Sequence, residues 1–437
     1  MGATFLPGIL GGQDPALGPW QGYWARSGDT LGVTLDIQAG DAPHGYRASF
    51  SSDRIRVAGI PFASVERDGC CLIRLTLRGD ATTSVFQGTI RGDSITGTFT
   101  EAGASGTFAL RRGPKASPLR EAEVQFSNGS VRLSGTLILP RSAPPYPAVV
   151  MVHGSGAEGR WANRFLAHRL AQAGVAALIF DKRGVGQSSG DWQSAGFENL
   201  AADAASGVAM LRERSDIRAG SVGVFGHSQG ATILPLVAGA GGVAFLIASA
   251  GSAVATDSAE RFSLRNAVGF STLPPDEAAH ANRYIEALVR VAYYGEPREE
   301  MDSLATALAG KPWYFAPPPP ASHYWAFSRR IAGYEPRRHW MQVTVPVMLV
   351  YGSADQRVPT EASVRAIREA LAAAHRDPPT VCVYPGADHT QRLRRAGAVW
   401  PRNAPGYLED LLAWVRFAAG VDGRTDSRAG RLTGACT

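Results

Sequence analysis

The sequence predicts an α/β protein in which helices cover a mostly parallel sheet, preceded by a small all-β domain. From about residue 122 onward, continuous apolar runs alternate with helical segments, which is typical of parallel strands buried on both faces. Between residues 19 and 112, short alternating segments separated by Gly, Asp and Ser clusters indicate antiparallel hairpins. The run Gly226-His227-Ser228-Gln229-Gly230 lies between an apolar run and a helical one. That context is typical of a sharp turn that presents a serine hydroxyl.

Composition bounds the class of protein. The 437 residues are 45% hydrophobic and 19% charged, which suits a globular protein with a large core. The net charge of +6 is mild and no dense block of basic residues occurs, so no nucleic-acid partner is expected. No apolar run reaches the ~20 residues that a membrane span needs. Residues 1–12 lack a signal-peptide pattern, so a cytoplasmic location is the default expectation; a secreted or periplasmic one stays open if a signal was removed.

The domain organisation follows from these changes in pattern. About eight strands in the all-β region indicate a small barrel or sandwich, with Trp20, Tyr23 and Trp24 filling or flanking its core. A stretch of ~95 residues between two apolar strands is too long for a bare loop and is expected to be a helical insertion. The predicted parts are a tail (1–18), the all-β domain (19–112), a linker (113–121), the catalytic domain (122–420) with a cap insertion at about 252–341, and a disordered tail (421–437).

The four cysteines suggest neither a metal site nor a disulfide framework. Cys70 and Cys71 are adjacent, and neighbouring cysteines rarely bond each other. Cys382 and Cys436 complete the set without any zinc-ligand spacing. We therefore expect no metal ion and no disulfide framework.

Candidates for nucleophilic catalysis follow the ends of predicted strands. A serine hydroxyl needs a base to remove its proton and a carboxylate to orient that base. With Ser228 as nucleophile, the acid is expected after the next-to-last strand and the histidine after the last one. Asp355 and His389 occupy these positions. Asp388 is a rival acid because it adjoins His389, and Asp355 could instead cap the helix that follows it.

An oxyanion needs backbone donors, and the start of the helix after Ser228 and the loop after the strand at 149–152 could supply them. The N–H of Gln229 is the first predicted donor, and the N–H of Ser155 is the second, with Gly154 and Gly156 as alternatives. Gly154 is also expected to contact substrate, together with Tyr314 and Trp325 of the insertion, although such aromatics could equally pack within the insertion. The Gly- and Ser-rich run 181–190 is predicted to be structural, with Arg183 tethering neighbouring loops, since no phosphate-loop motif is present.

Over about residues 121–420 the chain resembles the α/β-hydrolase superfamily. The resemblance rests on five ordered motifs: His153-Gly154, Asp181-x-Arg-Gly-x-Gly-x-Ser-x-Gly190, Gly226-x-Ser-x-Gly230, Gly352-x-x-Asp355 and Asp388-His389. Within the superfamily the chain is similar to bacterial serine carboxylesterases with an extra N-terminal β domain, and more loosely to prolyl-oligopeptidase-like peptidases. The resemblance implies an eight-stranded sheet whose second strand is antiparallel, a Ser-His-Asp triad and no cofactor.

Three hypotheses for function remain open at this point. The first is a carboxylesterase that cleaves small-molecule esters of short to medium acyl chains through an acyl-enzyme. The second is an aminopeptidase or acylpeptidase on the same triad, which needs an acid to anchor a free amine: Glu260, Glu286 or Glu335. The third treats the β domain as a binding module for glycan, cell wall or a second chain. Homo-oligomer formation through the β domain or the cap is left open.

Overall fold

The computed structural model describes residues 14–40, 45–69, 71–79, 82–114, 119–394, 397–421 and 432–437. The chain divides into two compact units. The first contains Met1–Pro118 and Arg394–Arg402, and the second contains Leu119–Leu393 and Asn403–Thr437. Among the described residues, no helix is long and apolar enough to cross a membrane.

The first unit is a nine-stranded antiparallel sheet, which confirms the predicted all-β domain. Its strand order is β4-β3-β2-β1-β9-β8-β7-β6-β5. The count of nine is one more than the expected number of about eight. The strands are β1 (Gly18–Arg26), β2 (Asp29–Ala39), β3 (Tyr46–Ser52), β4 (Val57–Pro61), β5 (Ser64–Asp68), β6 (Leu72–Arg78), β7 (Thr83–Arg91), β8 (Ser94–Glu101) and β9 (Ala104–Arg112).

The nine strands curl around an aromatic core. Between the edge strands, the Phe62 N–H donates to an oxygen on β3 and the Ala63 N–H donates to one on β6, which links the two sides of the curled sheet. Trp20 and Trp24 are buried, as predicted, whereas Tyr23 is 47% exposed because alternate residues of a strand face opposite sides. The other large buried aromatics are Phe50, Phe62, Phe86, Phe99 and Phe108.

A segment distant in sequence completes this unit. Asp29 accepts hydrogen bonds from the N–H groups of Val399 and Trp400. Arg54 donates to the Trp400 carbonyl and forms an ion pair with Asp29 at 2.7 Å. The hydrogen bonds from Arg54 hold the pKa of the Asp29 carboxyl well below its usual range. No local sequence pattern predicts this pairing, because its partners are more than 340 residues apart.

The second unit is built on an eight-stranded sheet, as the resemblance implies. Its order is β10-β11-β13-β12-β14-β15-β16-β17; β11 runs antiparallel to both neighbours and the other neighbouring strands are parallel. The strands are β10 (Arg120–Asn128), β11 (Val131–Leu139), β12 (Tyr146–Val152), β13 (Ala176–Phe180), β14 (Ile217–His227), β15 (Leu246–Ser249), β16 (Val347–Gly352) and β17 (Thr380–Tyr384). Two short strands follow, β18 (Arg392–Leu393) and β19 (Arg402–Asn403).

Helices cover this sheet, and the helices α5 to α9 lie between β15 and β16, where the sequence predicts an insertion. Buried apolar residues of these helices, such as Tyr284 and Trp325, belong to the same core as the sheet. The α-helices are α1 (Arg164–Gln172), α2 (Phe197–Glu213), α3 (Gln229–Thr232), α4 (Leu234–Gly239), α5 (Thr256–Ala267), α6 (Pro275–Val289), α7 (Glu299–Leu308), α8 (His323–Ile331), α9 (Pro336–Trp340), α10 (Thr360–Ala373) and α11 (Tyr407–Ala418).

The edge strand β17 carries two corrections to the sequence predictions. Cys382 in β17 forms a disulfide with Cys436, so the expectation of no disulfide is wrong. The backbone of Val381 exchanges hydrogen bonds with Thr437, so residues 432–437 are ordered against β17 and not a disordered tail. An unpaired edge strand offers free N–H and C=O groups to any segment that can reach it. Cys70 lies outside the described residues, as do positions 1–13 and 422–431 of the two predicted tails.

Candidate active site

Ser228 occupies the strained turn that its flanking glycines predict. It follows β14 and has φ +55°, a left-handed conformation that is rare for residues with a side chain. A Cβ on Gly226 would lie 2.4 Å from backbone atoms of Gly230, and a Cβ on Gly230 would lie 2.5 Å from the His153 carbonyl oxygen. Both positions therefore require glycine. The turn leaves the Ser228 hydroxyl at the carboxyl edge of the sheet.

His389 lies within hydrogen-bond reach of both predicted partners. The Ser228 hydroxyl is 3.0 Å from Nε2 of His389, and Nδ1 of His389 is 2.8 Å from Oδ2 of Asp355. With the ring proton on Nδ1, the histidine donates to the carboxylate and accepts from the serine. This is the geometry in which an imidazole can remove a proton from a hydroxyl.

Asp355 is held in place by its own loop. Its Oδ1 accepts from the N–H groups of Arg357 (2.7 Å) and Val358 (3.0 Å), and its side chain is buried. It does not cap α10, where the N-cap position is Pro359. The rival acid Asp388 accepts hydrogen bonds from Thr390 and Arg392 of its own loop. The geometry therefore favours Asp355 over Asp388 as the partner of His389.

The predicted oxyanion donors border Ser228, with Gln229 at the start of α3 and Ser155 in the loop after β12. Ser155, Gly156 and Gln229 line the same pocket as Ser228. The N–H of Gly154 instead donates to the Glu158 carboxylate at 2.8 Å, so Gly154 is not available as a donor. No acceptor in the described parts of the chain is within hydrogen-bond reach of the Ser155 N–H.

A pocket of about 540 Å³ opens beside Ser228. The three predicted substrate contacts, Gly154, Tyr314 and Trp325, are not among its lining residues. Trp325 is 4% exposed and donates its indole N–H to the Pro319 carbonyl, and Tyr314 packs against Tyr284. The lining residues are polar as well as apolar: Ser155, Gly156, Trp192, Phe197, Leu200, Ser228, Gln229, Thr232, Ser252, Thr256, Ala259, Glu260, Ser263, Tyr293, His323, Tyr324, Phe327, Ser328, Ile331, Arg357 and Val358.

An acidic group faces this pocket. Of the three acids named as amine anchors, Glu260 lines the pocket, whereas Glu286 forms ion pairs with Arg261 and Arg265. Burial raises the pKa of the Glu260 carboxyl, even though it accepts a hydrogen bond of 2.8 Å from the Tyr324 hydroxyl. The positive charge of Arg357 opposes this rise.

Two pocket residues carried no recognisable signal in the sequence. The rings of Trp192 and His323 lie 4.8 Å apart in a T-shaped pair and both line the pocket. They come from segments more than a hundred residues apart in the chain, so no motif could join them. Arg183, by contrast, forms a buried ion pair with Asp203 of α2 at 2.6 Å and ties the 181–190 loop to that helix.

An eight-stranded sheet with this strand order, bearing a serine on a strained turn after its fifth strand, is the architecture of the α/β hydrolases. The model of the family described as "Serine aminopeptidase, S33" matches residues 143–391, more than half of the chain. The chain belongs to this family and is an enzyme of the α/β-hydrolase superfamily.

Similar proteins include several named as esterases. Esterase EstD of Thermotoga maritima is 33% identical over 113 residues, which cover 24% of this chain and 27% of EstD. The quorum-quenching protein AidA of Acinetobacter baumannii is 31% identical over 114 residues, 26% of this chain and 38% of AidA. The chain thus spans well under half of either relative. The structure of the Pyrococcus furiosus esterase Pf2001 has 18% identity and a TM-score of 0.39, over 62% of this chain and 83% of that one.

Proposed function

We propose that this protein is a carboxylesterase that cleaves esters of short to medium acyl chains through an acyl-enzyme on Ser228. The observation that carries the proposal is the continuous hydrogen-bonded line from the Ser228 hydroxyl through His389 to Asp355, with distances of 3.0 and 2.8 Å. The esterase relatives agree with it at a coarser level.

The mechanism assigns one role to each group. His389 removes the Ser228 proton as Oγ attacks the ester carbonyl, and the carboxylate of Asp355 stabilises the imidazolium that forms. The N–H groups of Ser155 and Gln229 stabilise the oxyanion. The alcohol leaves with the proton from His389. A water molecule, deprotonated by the same ring, then attacks the acyl-enzyme and releases the acid with free Ser228.

The pocket limits the size of the acyl group. A volume of about 540 Å³ is within the range of small-ligand sites and suits an acyl chain of modest length. Phe197, Leu200 and Ile331 supply apolar surface, whereas Glu260 and Tyr324 make another part of the wall polar.

The test is pre-steady-state release of nitrophenol from 4-nitrophenyl acetate, butyrate and octanoate. We expect a burst that is stoichiometric with enzyme, and no burst from Ser228→Ala. Ser258→Ala, a change of the same kind at an exposed site on α5, is the matched control. Absence of any burst from the folded wild type would contradict the proposal.

The second candidate is an amide hydrolase of the aminopeptidase or acylpeptidase type. The observation that favours it is Glu260, a carboxyl group that lines the pocket and could hold a free amine. Steady-state kinetics on amino-acyl nitroanilides and on the matching acyl esters separate the two candidates. A preference for the nitroanilide that disappears in Glu260→Gln would favour the amide hydrolase.

We also propose that the protein works in an oxidising compartment. The support is the disulfide between Cys382 and Cys436, because such bonds rarely persist in a reducing cytosol. Treatment of intact cells with a thiol-reactive mass tag, before any oxidation during lysis, should leave both cysteines untagged. Tagging of both would contradict this location.

A further inference from the structure

Lys182 lies directly behind the loop that carries Ser155. It follows β13, and its ammonium donates to the carbonyl oxygens of Gly154 at 2.5 Å and Gly156 at 2.8 Å. The residue is 3% exposed. The ring of Trp192, which also lines the pocket, lies 5.9 Å from the ammonium. One buried cation therefore holds two carbonyl groups of one loop.

A buried ammonium is costly unless other groups replace its hydration. Within the described residues, no carboxylate oxygen is close enough to the Lys182 ammonium to form an ion pair. The nearby Glu158 instead uses its carboxylate to accept from the N–H of Gly154. Glu158 thus binds one backbone N–H of the loop and Lys182 binds two of its carbonyl oxygens. Together these contacts fix the loop backbone.

Peptide geometry connects this contact to the site. The peptide unit is planar and trans, so its C=O and N–H groups point in opposite directions. The carbonyl of Gly154 and the N–H of Ser155 belong to the same unit. Because Lys182 holds that carbonyl, the Ser155 N–H must point away from Lys182. The positive charge of the ammonium beside the carbonyl oxygen also polarises the peptide unit, which strengthens its N–H as a hydrogen-bond donor.

We propose that Lys182 is a positioning residue that aims the N–H of Ser155 at the developing oxyanion through its hold on the Gly154 and Gly156 carbonyls. The inference rests on the proposed function, since it requires acyl transfer to Ser228. Lys182 does not itself touch the substrate. It affects the reaction only by fixing the loop that carries the Ser155 N–H.

The charge of Lys182 gives the proposal a signature in pH. Burial lowers the pKa of Lys182 to about 8, although the carboxylate of Glu158 opposes the shift. Burial and the charge of Lys182 lower the pKa of the facing His153 to about 4, so this ring is neutral around pH 8. The nearby Asp181 carboxylate is bound by Arg160. Lys182 is the group here that changes charge near pH 8. It loses its proton as the pH rises, so kcat should fall there.

The experiment compares Lys182→Met, which removes the charge at similar length, with Lys182→Arg, which keeps it. Lys311→Met, at a half-exposed lysine paired with Glu277, is the matched control. For 4-nitrophenyl butyrate we expect Lys182→Met to lower kcat by about 10- to 100-fold with little change in KM, because a misplaced or lost oxyanion donor acts on the transition state. The wild type should lose kcat above about pH 8, and this decline should be absent in Lys182→Met.

Lys182→Arg tests the charge by itself. If it folds, it should retain activity above the pH at which the wild type declines, because guanidinium stays protonated. If neither variant folds, the wild type still decides: a kcat that stays constant from pH 7 to 10 would overturn the proposal.

Phosphonylation of Ser228 by a fluorophosphonate gives a readout that does not depend on ester turnover. The phosphoryl oxygen of the adduct needs the same N–H donors, so Lys182→Met should label about 10-fold more slowly or worse. Equal labelling rates and an unchanged alkaline decline in Lys182→Met would overturn the role of Lys182. Failure of the wild type to turn over any ester would instead overturn the proposed function while leaving the labelling comparison valid.

Discussion

Removing the disulfide between Cys382 and Cys436 should weaken the second unit without changing its fold. The bond joins β17 to residues 432–437, and further contacts hold the same segment. Thr433 donates its N–H and its hydroxyl to the buried carboxylate of Asp410, at 2.7 and 2.6 Å. Val381 exchanges backbone hydrogen bonds with Thr437. These contacts should keep the segment in place in Cys436→Ser, so the change acts mainly on the unfolded chain.

The magnitude follows from the length of chain that the bond encloses. The two cysteines are separated by 54 positions, and closing a loop of that length in the unfolded chain is worth about 4 kcal/mol at 25 °C. For a unit of roughly 300 residues, this loss corresponds to a fall in melting temperature of about 6 °C. A loss of about 4 kcal/mol lies within the range typical for removal of a native disulfide.

Urea unfolding followed by tryptophan fluorescence, with and without dithiothreitol, measures this loss. The wild type in reductant and Cys436→Ser without it should share a lowered midpoint for the second unit. Because Cys71 is also disulfide-bonded, reductant can act elsewhere, and Cys436→Ser isolates the bond of interest. If Cys436→Ser unfolds at the same midpoint as the oxidised wild type, the reasoning is refuted.

Three other perturbations test the turn, a buried imidazole and the aromatic core. Gly226→Ala should abolish activity because the added Cβ would lie 2.4 Å from backbone atoms of Gly230. Gly220→Ala, whose added Cβ would have no atom within 4 Å, should stay active. Esterase assays on the purified variants check both expectations. Burial lowers the pKa of His153 from 6.5 to about 4, so stability should be full above pH 6.5 and decline as the pH falls toward 4. If the urea midpoint of His153→Gln falls with pH as steeply as that of the wild type, the decline does not come from His153. Trp24→Ala should destabilise the first unit by about 4 kcal/mol and Tyr23→Ala by less than about 0.5, as thermal melts can show.

The residues around Ser228 could be predicted because each follows the end of a strand. Parallel strands bring their carboxyl ends to one edge, so Asp355 and His389 could be placed near Ser228 from chain order alone. The tight turn at Ser228 requires glycine at positions 226 and 230, and this requirement can be recognised in the sequence alone. Such predictions depend on topology and on the turn, not on distant packing.

Residues of the insertion could not be placed in the same way. Neighbouring positions on a helix point about 100° apart, so the choice between Tyr324 and Trp325 depends on how α8 packs. The structure turns Tyr324 toward the pocket and buries Trp325. The pairing of residues 432–437 with β17 and the role of Lys182 depend likewise on contacts between distant segments, which a single sequence does not reveal.

The distance along the chain between Ser228 and His389 has a consequence for biosynthesis. The two side chains meet across 161 positions, and the strand that delivers the imidazole is the last of the eight in the larger sheet. On the proposed mechanism, a ribosome must synthesise the chain through His389 before Ser228 can acquire its base. A nascent or prematurely terminated product that lacks this strand and His389 should therefore not cleave esters in the cell.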